Sequence, residues 1–222
     1  MTDSSGENRS HLHLIALAWV FWAAVAWSAI RPLNPSDYWL EIATPIGMFV
    51  LLAATWKWFP FTRLAYTLLF LEMLLLVIGA HYTHEHVPLF DWIKAPLGWS
   101  RNDYDRFAHF CVGFLCVIPV REVLRRATPL RGRWLTALSV ICILAFAAFY
   151  EITEWWIAVS TSPETGSAYL GSQGDPWDTQ KDMLMDWIGA VAGVLILSGL
   201  HDHALSMLPS RVSLDRLPTV RD

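Results

Sequence analysis

Apolar residues fall into six runs long enough to cross a hydrocarbon core, which takes about 20 helical residues. The runs are Leu12–Ile30, Trp39–Trp58, Leu64–Ala80, Phe107–Leu124, Trp134–Ile157 and Met183–Leu200. Polar or helix-breaking stretches separate them. RPLNP stops the first run and FPF the second, because proline cannot continue a helix. HYTHEH closes the third, RNDYDR and REVLRR bracket the fourth, and GSQGDPWDTQ precedes the sixth. The pattern predicts an all-α polytopic membrane bundle of six transmembrane helices spanning residues 12–200. A disordered tail is expected over 1–11 and a polar C-terminal tail over 201–222. The first run is long for a cleavable signal, so it is expected to be retained as a span.

Composition agrees with that class. Of 222 residues, 55% are hydrophobic and only 16% charged, whereas a soluble domain has about a quarter of its residues charged. Thirteen tryptophans suit the membrane–water interfaces. A net charge of −4 argues against a nucleic-acid partner. Cys111, Cys116 and Cys142 lie in apolar runs and read as small hydrophobes.

Orientation follows from Lys and Arg in the short connections. Arg121, Arg125, Arg126, Arg131 and Arg133 cluster between spans four and five, and Lys57 and Arg63 lie between spans two and three. With Arg211, Arg216 and Arg221 they fall on one side, which places both termini in the cytoplasm. HYTHEH, DRFAH, EITE and DTQKDMLMD then share one depth at the outer face.

These four motifs supply the candidate chemistry. Asp105 and His109 are four apart on one helix face, where a carboxylate orients an imidazole or shares a metal with it; Asp105 also suits a helix N-terminus. Glu151 and Glu154, three apart, repel unless a cation or proton lies between them, although Glu154 beside Trp155 and Trp156 also suits an aromatic belt. Asp178, Asp182 and Asp186 form a stripe along the start of span six; Asp186 is a full turn inside and needs a partner. Asp175 reads as a turn residue. His81, His84, Glu85 and His86 gather where span three ends, placed to cover the site. The expected divalent-metal ligands are Asp105, His109, Glu151, Glu154 and Asp182, with His81, Glu85, Asp178 and Asp186 as further polar candidates. Histidine with carboxylates suits zinc, manganese or iron, and the oxygen-rich part suits magnesium or calcium. Gly189 and Gly193 form GxxxG, a device for close helix packing. Arg121 and Glu122 are expected at the interface, the arginine snorkelling.

RNDYDRFAHF, FYEITEWW and GSQGDPWDTQKDMLMDWIGA together resemble the YjdF family of bacterial inner-membrane proteins, domain-of-unknown-function family 2238, over most of the chain after about Thr62. The resemblance implies a multipass inner-membrane protein. The chain is more distantly similar to VanZ-like membrane proteins. Asp105 and His109 match their first element, Glu151 their second and Asp182 with Gly189 and Gly193 their third. Glu154 and Asp186 stand where Gln and Asn are usual there, and the added negative charge favours a bound cation. Three function classes follow: binding of a cation, lipid headgroup or cell-envelope precursor; metal-assisted hydrolysis or transfer on a lipid-linked substrate; and, ranked last because no inverted repeat is evident, proton-coupled transport.

Overall fold

The computed structural model of the protein describes residues 4–208. They form eight helices: α1 (Ser4–Ser28), α2 (Pro35–Thr55), α3 (Arg63–Tyr82), α4 (Pro88–Lys94), α5 (Tyr104–Ala127), α6 (Gly132–Ser160), α7 (Pro163–Leu170) and α8 (Asp178–Ser206). There is no strand among the described residues. Six helices, all but α4 and α7, are long and apolar enough to cross a membrane, as the hydrophobic runs predicted. Helix α1 reaches back to Ser4, through most of the stretch expected as a tail. Helix α8 runs on to Ser206; residues 1–3 and 209–222 lie outside the described residues.

Local chemistry sets the helix ends. The Asn34 side chain accepts from the Ser36 and Asp37 N–H groups, and Pro35 opens α2 with its φ already helical. The Thr62 hydroxyl accepts the Ala65 N–H at 3.2 Å and starts α3. Pro45 and Pro119 lie inside α2 and α5. Such prolines are tolerated in membrane helices where neighbours re-satisfy the freed carbonyls.

The bundle is built on α5 and α8, which pack along each other, with α3 and α6 at their sides. Leu68, Leu115, Ile118, Ile143, Ala190 and Val194 interlock where these four meet. A second apolar cluster joins α1 and α2 to α3 through Phe21, Tyr38, Ile42, Phe70, Met73 and Val77. Trp19, Leu51, Phe146 and Leu195 point outward and are exposed, the distribution expected of a protein whose solvent is lipid.

The α5–α8 seam depends on glycine. A methyl group at Gly189 would lie 2.1 Å from the Phe110 carbonyl oxygen, and one at Gly193 2.5 Å from that of Phe114. From the other side, a methyl at Gly113 would meet the Asp186 carbonyl oxygen at 2.0 Å. The GxxxG of span six therefore has a third glycine facing it on α5, and the two backbones touch.

One expectation is corrected at the arginine-rich end. Arg121 and Glu122 are buried, at 7% and 0% exposure, rather than interfacial. The reason is a set of partners distant in sequence. Glu122 accepts from the Thr62 N–H at 2.9 Å, the Thr62 hydroxyl at 2.7 Å and Arg126 at 2.7 Å. Arg121 donates to Asp202 at 2.8 Å and to His201 Nδ1 at 2.7 Å. With Nδ1 accepting, His201 Nε2 carries the proton and faces Glu122 Oε2 at 3.3 Å. A buried charge needs partners of this kind, and here they tie α3, α5 and α8 together.

Candidate functional site

The other end of the bundle gathers the acidic motifs. The glycine seam brings α8 close enough for His109 Nδ1 to donate to Asp186 Oδ2 at 2.8 Å. That bond leaves Nε2 pointing the opposite way, 3.9 Å from Asp105 Oδ1 and 3.8 Å from Glu151 Oε1. Donor atoms of Asp105, His109 and Asp182 all lie within 4.8 Å of one another. Glu151, Asp182 and Asp186 are buried, and Glu151 Oε1, Asp182 Oδ1 and Asp186 Oδ1 accept no hydrogen bond among the described residues. Helices α5, α6 and α8 thus each contribute a carboxylate to the space around one imidazole.

Basic side chains rim this cluster. Arg101 pairs with Asp178, reaches Asp103 at 3.4 Å and Asp105 at 3.8 Å, and donates to the Gly171 and Ser172 carbonyls. Arg106 holds Asp175 at 2.5 Å and Asp178 at 3.2 Å. Asp178, a candidate from sequence, is therefore engaged by two arginines at the rim. Asp175 accepts the Trp177 N–H at 3.0 Å, the turn read from its sequence. The Lys181 ammonium, the Trp177 N–H and Arg106 together hold the Asp175 carboxyl down at about 2.

A cavity of about 230 Å³ adjoins the cluster, between α2 and α3 on one side and α5 and α6 on the other. Asp105, His109 and Asp186 form part of its wall, and Glu154 lines it from α6. His84 enters it from the turn after α3. Thr83 and His84 both adopt left-handed backbone, with φ of 59° and 53°, which folds the chain back over the helix end. The ring then lies against Gly79, where a methyl group would meet Nε2 at 2.0 Å. His84 Nδ1 pairs with Glu41 at 3.2 Å. Burial works against a charge on His84, but the Glu41 carboxylate outweighs it and raises the imidazole to about 9.

Two candidates lie elsewhere. His81 Nδ1 meets the Ser28 carbonyl at 2.8 Å and its ring packs on Trp27, so it joins α3 to the end of α1. Glu85 sits half-buried in the turn and is not part of the cavity wall. Glu41 and Glu72, in contrast, line the cavity without having been singled out from sequence. The signal for Glu72 was present: it stands in the middle of LLFLEMLLL, where an ionisable residue marks a functional position by default.

Fold and site define a polytopic membrane bundle with a buried carboxylate–histidine centre near one end. The chain belongs to the family described as "Predicted membrane protein (DUF2238)", which matches residues 13–203. It is 41% identical over 169 residues to the inner membrane protein YjdF of Escherichia coli (strain K12), covering 75% of this chain and 80% of that protein. No solved structure matches it. It is a multipass inner-membrane protein, in agreement with the six apolar helices.

Proposed function

We propose that the chain holds a divalent cation at the outer end of the bundle, with His109 Nε2, Asp105 and Asp182 as ligands and Glu151 as a fourth. The observation that carries this reading is the pair of environments around His109. Its Nδ1–H is used by Asp186, the arrangement by which a metal-bound histidine is oriented. Its Nε2 faces carboxylate oxygens at 3.8 and 3.9 Å. A proton on Nε2 reaches neither oxygen at hydrogen-bonding distance. A lone pair there repels both. A metal at about 2.1 Å from each donor permits ligand separations up to about 4.2 Å, so closing the 4.8 Å set takes only about 0.6 Å of side-chain movement. One nitrogen with carboxylate oxygens suits zinc, manganese or iron. The basic residues of the α5–α6 connection lie at the opposite end, which supports an outward-facing site.

A second reading adds chemistry to binding. A pocket of about 550 Å³ lies on the α6–α7–α8 side and is lined by Glu151, Asp178, Thr179 and Asp182. Room beside the ligands is what metal-assisted hydrolysis or transfer requires, with the cation lowering the pKa of a bound water and polarising a phosphoryl oxygen. In this reading Glu151 would act as the base for the bound water rather than as the fourth ligand. The water oxygen would attack the phosphorus of a lipid-linked phosphate or pyrophosphate, and the P–O bond to the leaving group would break. Metal analysis of purified protein tests the binding proposal. One equivalent of a divalent metal is expected in the wild type, about none in His109→Ala or Asp182→Ala, and 10- to 100-fold weaker binding, roughly, in Asp186→Asn. Equal metal content in all four proteins refutes it.

A further inference from the structure

We infer that the 230 Å³ cavity receives the primary-amine headgroup of a membrane lipid, entering sideways between α2 and α6. The inference rests first on Glu72, which is not among the proposed ligands; Asp105 and His109 of the cation centre form another part of the same cavity wall. Glu72 is 1% exposed, lies at mid-span on α3 and lines the cavity, and neither of its oxygens has a hydrogen-bond partner among the described residues. A carboxylate in that state is costly unless a ligand supplies donors. A primary ammonium offers three, enough for both oxygens.

The rest of the wall selects the same chemistry. Glu41, Glu154, Asp105 and Asp186 line the cavity with Glu72, and its basic lining residues are His84 and His109. Each histidine already faces a carboxylate, Glu41 and Asp186 respectively. A headgroup of net negative charge would meet an excess of like charge; a primary ammonium meets carboxylates and the Tyr150 ring, with Met48, Leu76 and Val112 completing an apolar surround.

The direction of entry follows from what covers the cavity. Helix α7 packs on both α2 and α6, and its Tyr169 and Leu170 close the loop end. Phe146 and Phe149 also line the cavity but are 62% and 59% exposed on the outward side of α6. The opening therefore faces lipid rather than water. The volume is below the range of about 300–1,000 Å³ that encloses a drug-sized ligand. It holds a headgroup and leaves the acyl chains in the bilayer.

Native mass spectrometry of the full chain, released from nanodiscs of defined composition, tests the inference. Phosphatidylethanolamine is expected to be retained about tenfold over phosphatidylglycerol and over phosphatidylcholine, whose quaternary amine lacks N–H donors. In Glu72→Gln the preference should fall to within about twofold while metal content stays at the wild-type level. Equal retention of the three lipids by the wild type overturns the inference without recourse to any variant, as does an undiminished preference in Glu72→Gln. Free ethanolamine that stabilises the protein as strongly as the lipid does overturns the lipid assignment.

Discussion

Replacing Gly189 by alanine tests whether the α5–α8 seam sets the geometry of the acidic centre. The added methyl would lie 2.1 Å from the Phe110 carbonyl oxygen and 2.9 Å from the Phe114 nitrogen. Carbon and carbonyl oxygen in contact sit no closer than about 3.3 Å, so the helices must part by about 1.2 Å. Neither contact is with a flexible side chain, so the backbones themselves have to move. His109 and Asp186 face each other across the same seam at 2.8 Å, and an added 1.2 Å takes them to about 4 Å, beyond hydrogen bonding. Overpacking costs about 1–3 kcal/mol and the lost bond to a charged group about 1.5–3 kcal/mol. A loss of about 3 kcal/mol or more is therefore expected, with weaker metal binding. Gly199→Ala is the control: it lies on the same helix with nothing within 4 Å of the new methyl, and alanine should be neutral or gain up to about 1 kcal/mol from helix propensity. Thermal unfolding in detergent and metal titration of both variants provide the comparison. A Gly189→Ala protein as stable and as well loaded as Gly199→Ala refutes the seam argument.

Three further outcomes are expected. The His84 imidazole is raised from 6.5 to about 9, so the His84–Glu41 pair contributes its full stability below about pH 6.5 and loses it as pH rises through about 9; melting temperature should fall over that window in the wild type and fall less in Glu41→Gln. At the arginine-rich end, Glu122→Ala should cost about 3–5 kcal/mol because Arg126 and His201 lose a buried partner, whereas Arg133→Ala at the surface should change melting by little; equal melting of the two variants contradicts the buried network. For orientation, single cysteines introduced at Gln173 and Arg133 in a cysteine-free background should label from opposite sides, Gln173 from outside the cell, and the reverse pattern overturns the assignment.

The six spans were legible because each is a predominantly apolar run, with few charged residues inside it, bounded by proline or charge. Helices α4 and α7, of seven and eight residues, were not, since neither is long enough to show a period. Topology alone carried Asp105, His109, Glu151, Asp182 and Asp186 to one end of the bundle, and the structure brings those five side chains together; Glu154, expected as a ligand with them, lines the adjoining cavity and is outside the Asp105–His109–Asp182 set. What sequence could not supply was direction. His84 turns inward on two consecutive left-handed residues, Thr83 and His84, neither of them glycine, so nothing in HYTHEH announces the reversal. The burial of Arg121 and Glu122 was hidden for a different reason: their partner His201 lies 80 and 79 residues further along the chain. Glu72 stands singly in its apolar run and Glu41 has only Asp37 four residues before it, so neither lies in a histidine–carboxylate motif that would mark it.

The glycine seam also divides the bundle by stiffness. Two helices whose backbones touch have no slack, and the buried arginine network and the acidic centre clamp that same pair near its two ends. Helices α5 and α8 therefore move as one rod. Helix α2 is held differently, through side-chain packing with α1 and α3 and by contact with α7. The α5–α8 rod is thus the fixed reference for the distances around His109, and α2, which has no such glycine seam, forms the facing wall of the cavity.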